Sequence, residues 1–170
     1  KTIDRDKQNR YNIICDVMGC NMILNLKQLY QIVGERVEIK YQIEKDSLSD
    51  YQHLDFSTPI SIEGKIENRA GIVTLSYSVD FTLNHNCDRC LCEFSRDYSF
   101  KFEHMVVRSL NTDNDDYIVT NGDKLDLDEL VLSDLLLQLP SKILCKNECK
   151  GLCSICGADL NESECNCEEN

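Results

Sequence analysis

Six cysteines crowd the end of this chain in the pattern Cys145-x3-Cys149-x3-Cys153-x2-Cys156-Gly157, then Cys165-x-Cys167. Two thiolates spaced by two residues can point at one ion, and a glycine after the second lets backbone amides turn toward the sulfurs. Tetrahedral zinc then needs two more sulfurs, each about 2.3 Å from the metal. Cys165 and Cys167 are the nearest source, across a short excursion carrying Ala158-Asp159-Leu160-Asn161. A further pair, Cys87-Asp88-Arg89-Cys90, lies upstream. At the tip of a hairpin, such a pair presents half of a zinc site. Two arrangements fit. In one, preferred here, Cys153, Cys156, Cys165 and Cys167 share one ion while Cys87, Cys90, Cys145 and Cys149 share another. In the other, the tail alone binds metal and the upstream pair is free or loosely paired. Either way the ion is Zn2+ in a structural role.

Other readings of the same residues are weaker. No run approaches the roughly 18 apolar residues that span a bilayer, and the first 30 residues lack a secretory h-region. Thiols in the cytosol stay reduced, so eleven cysteines, most of them clustered, point to metal rather than disulfides. A redox Cys-x-x-Cys sits at a helix start in a βαβ setting, whereas Cys87 and Cys90 lie between alternating strand patterns. Cys92 matches the offset of neither pair and reads as a bystander; Cys15 and Cys20 have no knuckle spacing. His53, His85 and His104 belong to no nucleophile motif, and a structural zinc with four filled positions offers no place to substrate. The expectation is a cytoplasmic protein that is not an enzyme. Its formal net charge of −12 opposes a phosphate backbone and favours a protein partner, one of basic character.

The elements that must carry these cysteines are legible in the periodicity. Val37, Ile39, Tyr41 and Ile43 alternate with polar residues, as a half-buried strand does. Asp46 to Phe56 reads as a loop. Ile60, Ile62 and Ile66 make another strand face, with Gly64 a candidate bulge. Asn68-Arg69-Ala70-Gly71 is turn chemistry, and Val73, Leu75, Tyr77, Val79, Phe81 and Leu83 alternate over a long strand. Tyr98, Phe100 and Phe102 continue on a third strand, Asn111 to Asp116 is an exposed loop, and Tyr117 to Val119 a short strand. Residues 126–139 form the clearest helix, capped by Asp126 with Glu129 three positions on and ended by Pro140. Its leucines, Leu136 and Leu137 included, make a broad apolar face. The predicted fold class is α+β: an antiparallel β-meander packed by one long C-terminal helix, followed by a Cys-rich zinc-binding tail. Residues 1–21 are expected to be a non-native or upstream arm, 22–144 a β-rich domain, and 145–170 the tail.

Cys87-Asp88-Arg89-Cys90-Leu91 after a long alternating strand, the leucine-rich helix ending in Leu139-Pro140, and Leu144-Cys145 leading to Cys149-Lys150-Gly151-Leu152-Cys153 and Cys156-Gly157-Ala158-Asp159-Leu160-Asn161 resemble the YceD family from Met22 onward. The resemblance implies a role in 23S ribosomal RNA processing or accumulation and in large-subunit assembly, with a ribosomal protein or pre-50S particle as partner. It brings no catalytic residues. Family members differ in how many of these cysteines they carry, so zinc would stabilise the tail rather than perform the shared function. Beside this reading stand a zinc-ribbon protein that binds RNA or DNA directly, and a thiol-redox protein.

Overall fold

The computed structural model describes residues 13–15, 22–51, 53–109 and 117–167. The expected exposed loop at 111–116 and nearly all of the expected arm at 1–21, including Cys20, lie outside the described residues.

The chain forms strands β1 (Ile13–Cys15) and β2 (Met22–Asn25), helix α1 (Lys27–Gln31), and strands β3 (Arg36–Ile43), β4 (Asp55–Phe56), β5 (Ile60–Arg69), β6 (Ile72–Asn86), β7 (Glu93–Val107), β8 (Tyr117–Val119) and β9 (Lys124–Asp126). Helix α2 (Leu127–Gln138) follows. β1, β2 and β9 make a small sheet, and the larger one runs β3-β5-β6-β7-β8 with β4 also on β6. The fold is therefore α+β and rich in sheet. Two details depart from the predicted meander. β8 lies parallel to β7, which makes the large sheet mixed. The segment read as a loop from Asp46 holds short 3-10 turns over Lys45–Tyr51 and then β4. β4 continues the line of β5 along β6, but the register slips by two residues between Phe56↔Leu83 and Ser61↔Asp80. Pro59, which has no amide hydrogen to give the ladder, stands in that break.

Alternation in β6 does what its period dictates: Val73, Leu75, Tyr77, Val79, Phe81 and Leu83 are all buried on one face. Gly64 is not a bulge, since pairing runs unbroken through Gly64↔Tyr77. It is glycine because a Cβ there would lie 2.4 Å from the Ser76 carbonyl oxygen and 2.5 Å from Tyr77 Cβ. The β5–β6 turn places both Ala70 (φ 53°) and Gly71 (φ 89°) in the left-handed region, the backbone of a tight hairpin. Buried Asn68 braces it, accepting from Gly71 N at 2.9 Å and donating to Leu29 O at 2.6 Å.

α2 begins where the capping pattern predicted, with the Asp126 side chain accepting from Glu129 N at 3.1 Å. It spans 12 residues, three turns and thus ordinary rather than long. Leu127, Val131, Leu132 and Leu135 are buried, whereas Leu137, assigned to the apolar face, is 83% exposed. Positions 127, 131 and 135 stack one turn apart on the side facing the sheet, and 137 falls on the opposite side. Polar bonds fix the helix as well: Tyr41 of β3 donates to Asp128 Oδ1 at 2.8 Å, and Met22 N of β2 donates to Oδ2 at 3.0 Å. His104 of β7 meets Asp134 at 2.6 Å, and the Tyr77 hydroxyl of β6 donates to the same carboxylate. Burial raises the Asp128 pKa above the ordinary carboxylate range.

Candidate metal centre

The β6–β7 hairpin ends in a turn over residues 87–92. Leu91 N donates to Cys87 O at 2.9 Å, Cys87 N donates to Cys92 O at 2.9 Å, and Leu91 takes a left-handed φ of 61°. The tail repeats this geometry at 153–158. Gly157 N donates to Cys153 O at 2.9 Å, Cys153 N donates to Ala158 O at 2.8 Å, and Gly157 has φ 74°. The two turns are one knuckle, written once with glycine at the left-handed position and once with leucine, which adopts that backbone at a cost. Cys92 therefore stands where Ala158 stands in the second knuckle.

After Pro140 the chain is laid against the first knuckle by bonds to its backbone and side chains. Asp88 N donates to Ile143 O at 2.9 Å, Ile143 N to Asp88 Oδ2 at 2.6 Å, Arg89 Nη1 to Cys149 O at 2.7 Å, and Leu152 N to Arg89 O at 3.2 Å. Gly151 has to be glycine at this crossing, because a Cβ there would sit 3.1 Å from Arg89 O and its φ is 79°. These contacts bring Cys87, Cys90, Cys145 and Cys149 together, while Cys153, Cys156, Cys165 and Cys167 gather separately. Within each group all four sulfurs lie within 4.8 Å of one another.

The spacing within the groups suits a four-coordinate ion. Cys87 lies 3.7 Å from Cys149, and Cys90 is 3.7 Å from Cys145. In the second group Cys156 and Cys165 are 3.5 Å apart, and Cys165 and Cys153 3.3 Å. Four sulfurs each about 2.3 Å from a central ion are about 3.8 Å from one another. Disulfide sulfurs bond at about 2.05 Å, and all of these cysteines are free. Amide hydrogens aim at the sulfurs: Cys145 N donates to Cys87 Sγ at 3.4 Å, Ile155 N to Cys153 Sγ at 3.4 Å, and Cys167 N to Cys165 Sγ at 3.3 Å.

Without a cation, thiol acidity splits inside each group. Burial pushes Cys87 up, but the amides of Cys145, Cys90 and Arg89 outweigh it and bring its pKa to about 6. The amides of Cys156 and Ile155 take Cys153 to about 6 as well. The neighbours then hold their protons. Burial raises Cys145 to about 11, and the thiol bond to Cys165 raises Cys167 to about 12. One thiolate forms readily in each group and several cannot, which is the imbalance a divalent ion removes.

A family model matches residues 75–170 of the chain, that of the large ribosomal RNA subunit accumulation protein YceD. The matched part runs from near the start of β6 through both knuckles. The chain belongs to the YceD family. Among similar proteins is the uncharacterized protein YlbN of Bacillus subtilis (strain 168), 20% identical over 127 residues, 71% of this chain and 72% of that protein. Another is the uncharacterized protein ML1660 of Mycobacterium leprae (strain TN), 21% identical over 113 residues, 63% of this chain but only 52% of that protein. No solved structure matches. In this YceD-family chain, His85 is in neither four-cysteine group, and its Nε2 pairs with the Tyr98 hydroxyl at 2.9 Å.

Two residues of the centre escaped the sequence reading, while Cys92 stays outside both foursomes as its offset implied, though its sulfur lies 3.3 Å from Cys90 Sγ. Leu91 carries a left-handed backbone that its residue type does not announce. Asn161 donates from Nδ2 to Cys149 Sγ at 3.4 Å, which the Asp159-x-Asn161 pattern could have signalled only as a turn.

Proposed function

We propose that the protein is a non-enzymatic cytoplasmic factor in bacterial ribosome production. It supports 23S ribosomal RNA accumulation and large-subunit assembly by contact with a ribosomal protein or a pre-50S particle, and each of its two four-cysteine groups holds a structural Zn2+. The carrying observation is the family match, which covers the cysteine-bearing half of the chain. Four sulfurs around each ion fill a tetrahedron and leave no coordination position for substrate, which supports a scaffolding role. The net charge of −12 supports a basic protein partner over naked RNA. Arg89, Lys142, Lys146 and Lys150 do flank the first group in sequence, but a zinc ion with four thiolates carries two formal negative charges, and Asp88 and Glu148 add two more. Among the described residues no helix is long and apolar enough to cross a membrane.

Two measurements test this reading. Metal analysis of protein purified without chelator should return two zinc ions per chain. Depletion in the native host should build up 23S precursors and reduce mature 50S particles, with the protein co-sedimenting with the pre-50S fraction. Unchanged precursor levels together with free sedimentation would end the ribosomal assignment.

A further inference from the structure

The two four-cysteine groups are adjacent but share no ligand, and one side chain runs between them. Asn161 lies in the excursion that joins Cys156 to Cys165, inside the loop that the second group closes. Both amide hydrogens of its carboxamide are used. Nδ2 donates to Asp159 Oδ1 at 2.7 Å and to Cys149 Sγ, a ligand of the first group, at 3.4 Å; Oδ1 accepts from Lys150 N at 2.9 Å. Asparagine has two side-chain amide hydrogens, so this geometry leaves neither unpaired. The backbone holds the residue in place: Asn161 N donates to Asp159 Oδ1 at 2.8 Å, Leu160 N to Gly151 O at 2.9 Å, and Leu152 bridges Asp159. Farther along, Glu162 N and Ser163 N donate to Asp159 O at 3.2 and 3.1 Å, and the loop closes where Cys165 meets Cys153 and Cys156 at 3.3 and 3.5 Å.

We infer that Asn161 couples the two centres: a metal ion held by Cys153, Cys156, Cys165 and Cys167 fixes the Asn161 amide on Cys149 Sγ and so tightens metal binding by Cys87, Cys90, Cys145 and Cys149. The physical basis is the outer-shell hydrogen bond. An N–H donor on a ligating sulfur spreads its negative charge and fixes its orientation, and losing such a donor costs about 10–100-fold in metal affinity. The donor acts only while its loop is ordered. Metal in the second group supplies that order at the moment it closes the loop. Coupling of this kind is reciprocal, so metal in the first group tightens the second by the same factor. Asn161 is a positioning residue here and contacts no ion itself.

The inference rests on the metal reading of both groups and is independent of the ribosomal one. Zinc-loaded full-length chain is titrated with a chelator, and the zinc retained per chain is measured. The set is wild type, Cys165→Ser/Cys167→Ser, Asn161→Leu, and the three substitutions together. Removing the second group should weaken zinc retention by the first about tenfold. Asn161→Leu, with all eight cysteines intact, should weaken the first group equally. The combined variant should be no weaker than Cys165→Ser/Cys167→Ser alone, because one coupling cannot be lost twice. Cys87→Ser/Cys90→Ser should loosen the second group by the same factor. Additive losses in the combined variant, or a first group indifferent to the second, would overturn the coupling while leaving both metal sites standing. A wild-type chain holding no zinc would remove the metal reading and the coupling together. Should Asn161→Leu lose its native circular dichroism, Asn161→Ser, too short to reach Cys149, is read in its place with the same outcomes.

Discussion

Amides aimed at a thiol lower its pKa, whereas burial and a neighbouring thiol raise it, and this separates the cysteines of each group. Cys87 and Cys153 ionise at about 6, whereas Cys145 and Cys167 are pushed up to about 11 and 12. Metal binding requires thiolates, so each group still protonated in the metal-free chain must release its proton to the solvent, and affinity rises with pH. Between pH 6 and 8 Cys87 and Cys153 are already thiolates and contribute no slope. Below about 6 they too are protonated, so the fall of log affinity with acid should steepen by one proton per site; chelator competition across pH 5 to 8 reads this directly. Cys92 tests the ligand set itself. It touches Cys90 Sγ at 3.3 Å yet sits outside the compact foursome. Cys92→Ser should therefore keep two zinc ions per chain, while Cys90→Ser should lose one. A chain with Cys92→Ser that retains a single ion would show that the ligand set had been drawn wrongly.

At the scale of elements, the knuckles are short and carry little core of their own; Phe94 and Leu144 are the apolar side chains packed beside Cys87, Cys90, Cys145 and Cys149. They depend on what aims them. β6 and β7 pair over Val73↔Val106 to Asn86↔Glu93, and that long ladder projects the first knuckle beyond the sheet. β5 must lie close against β6 for the ladder to keep its path, and Gly64 is where the approach is tightest. Gly64→Ala drives a methyl into the Ser76 carbonyl and Tyr77, backbone groups that cannot turn away. It should lower stability by about 1–3 kcal/mol in urea unfolding. A variant as stable as wild type would mean that the sheet has slack there. Helix α2 matters for a different reason: held by Asp128 and Asp134, it ends at Leu139 and delivers the chain after Pro140 back to the hairpin tip.

Over the whole molecule, the large core running from Leu24 to Leu135 is distinct from the small cluster around Cys87, Cys90 and Cys149. Removing metal should therefore loosen the cysteine lobe and leave the sheet intact. In hydrogen exchange after chelation, amides at 87–92 and 145–165 should lose protection while those of β5 and β6 keep it. Loss across both would mean that the ions hold up the entire fold. Much of this organisation was readable beforehand. Alternation from Val73 to Leu83 forces a strand because side chains repeat every two residues, and Asp126 with Glu129 opens a helix because free amides need acceptors. The Cys-x-x-Cys spacing likewise makes each knuckle a local affair of two thiols and the amides between them. Residue order alone left open whether the upstream pair meets Cys145 and Cys149, how β8 pairs, which leucines of α2 are covered, and that Asn161 reaches Cys149. Those are matters of where distant segments come to rest. They are settled by the register of β6 on β7, by the side of α2 that meets the sheet, and by an Arg89–Gly151 crossing that only the folded chain contains.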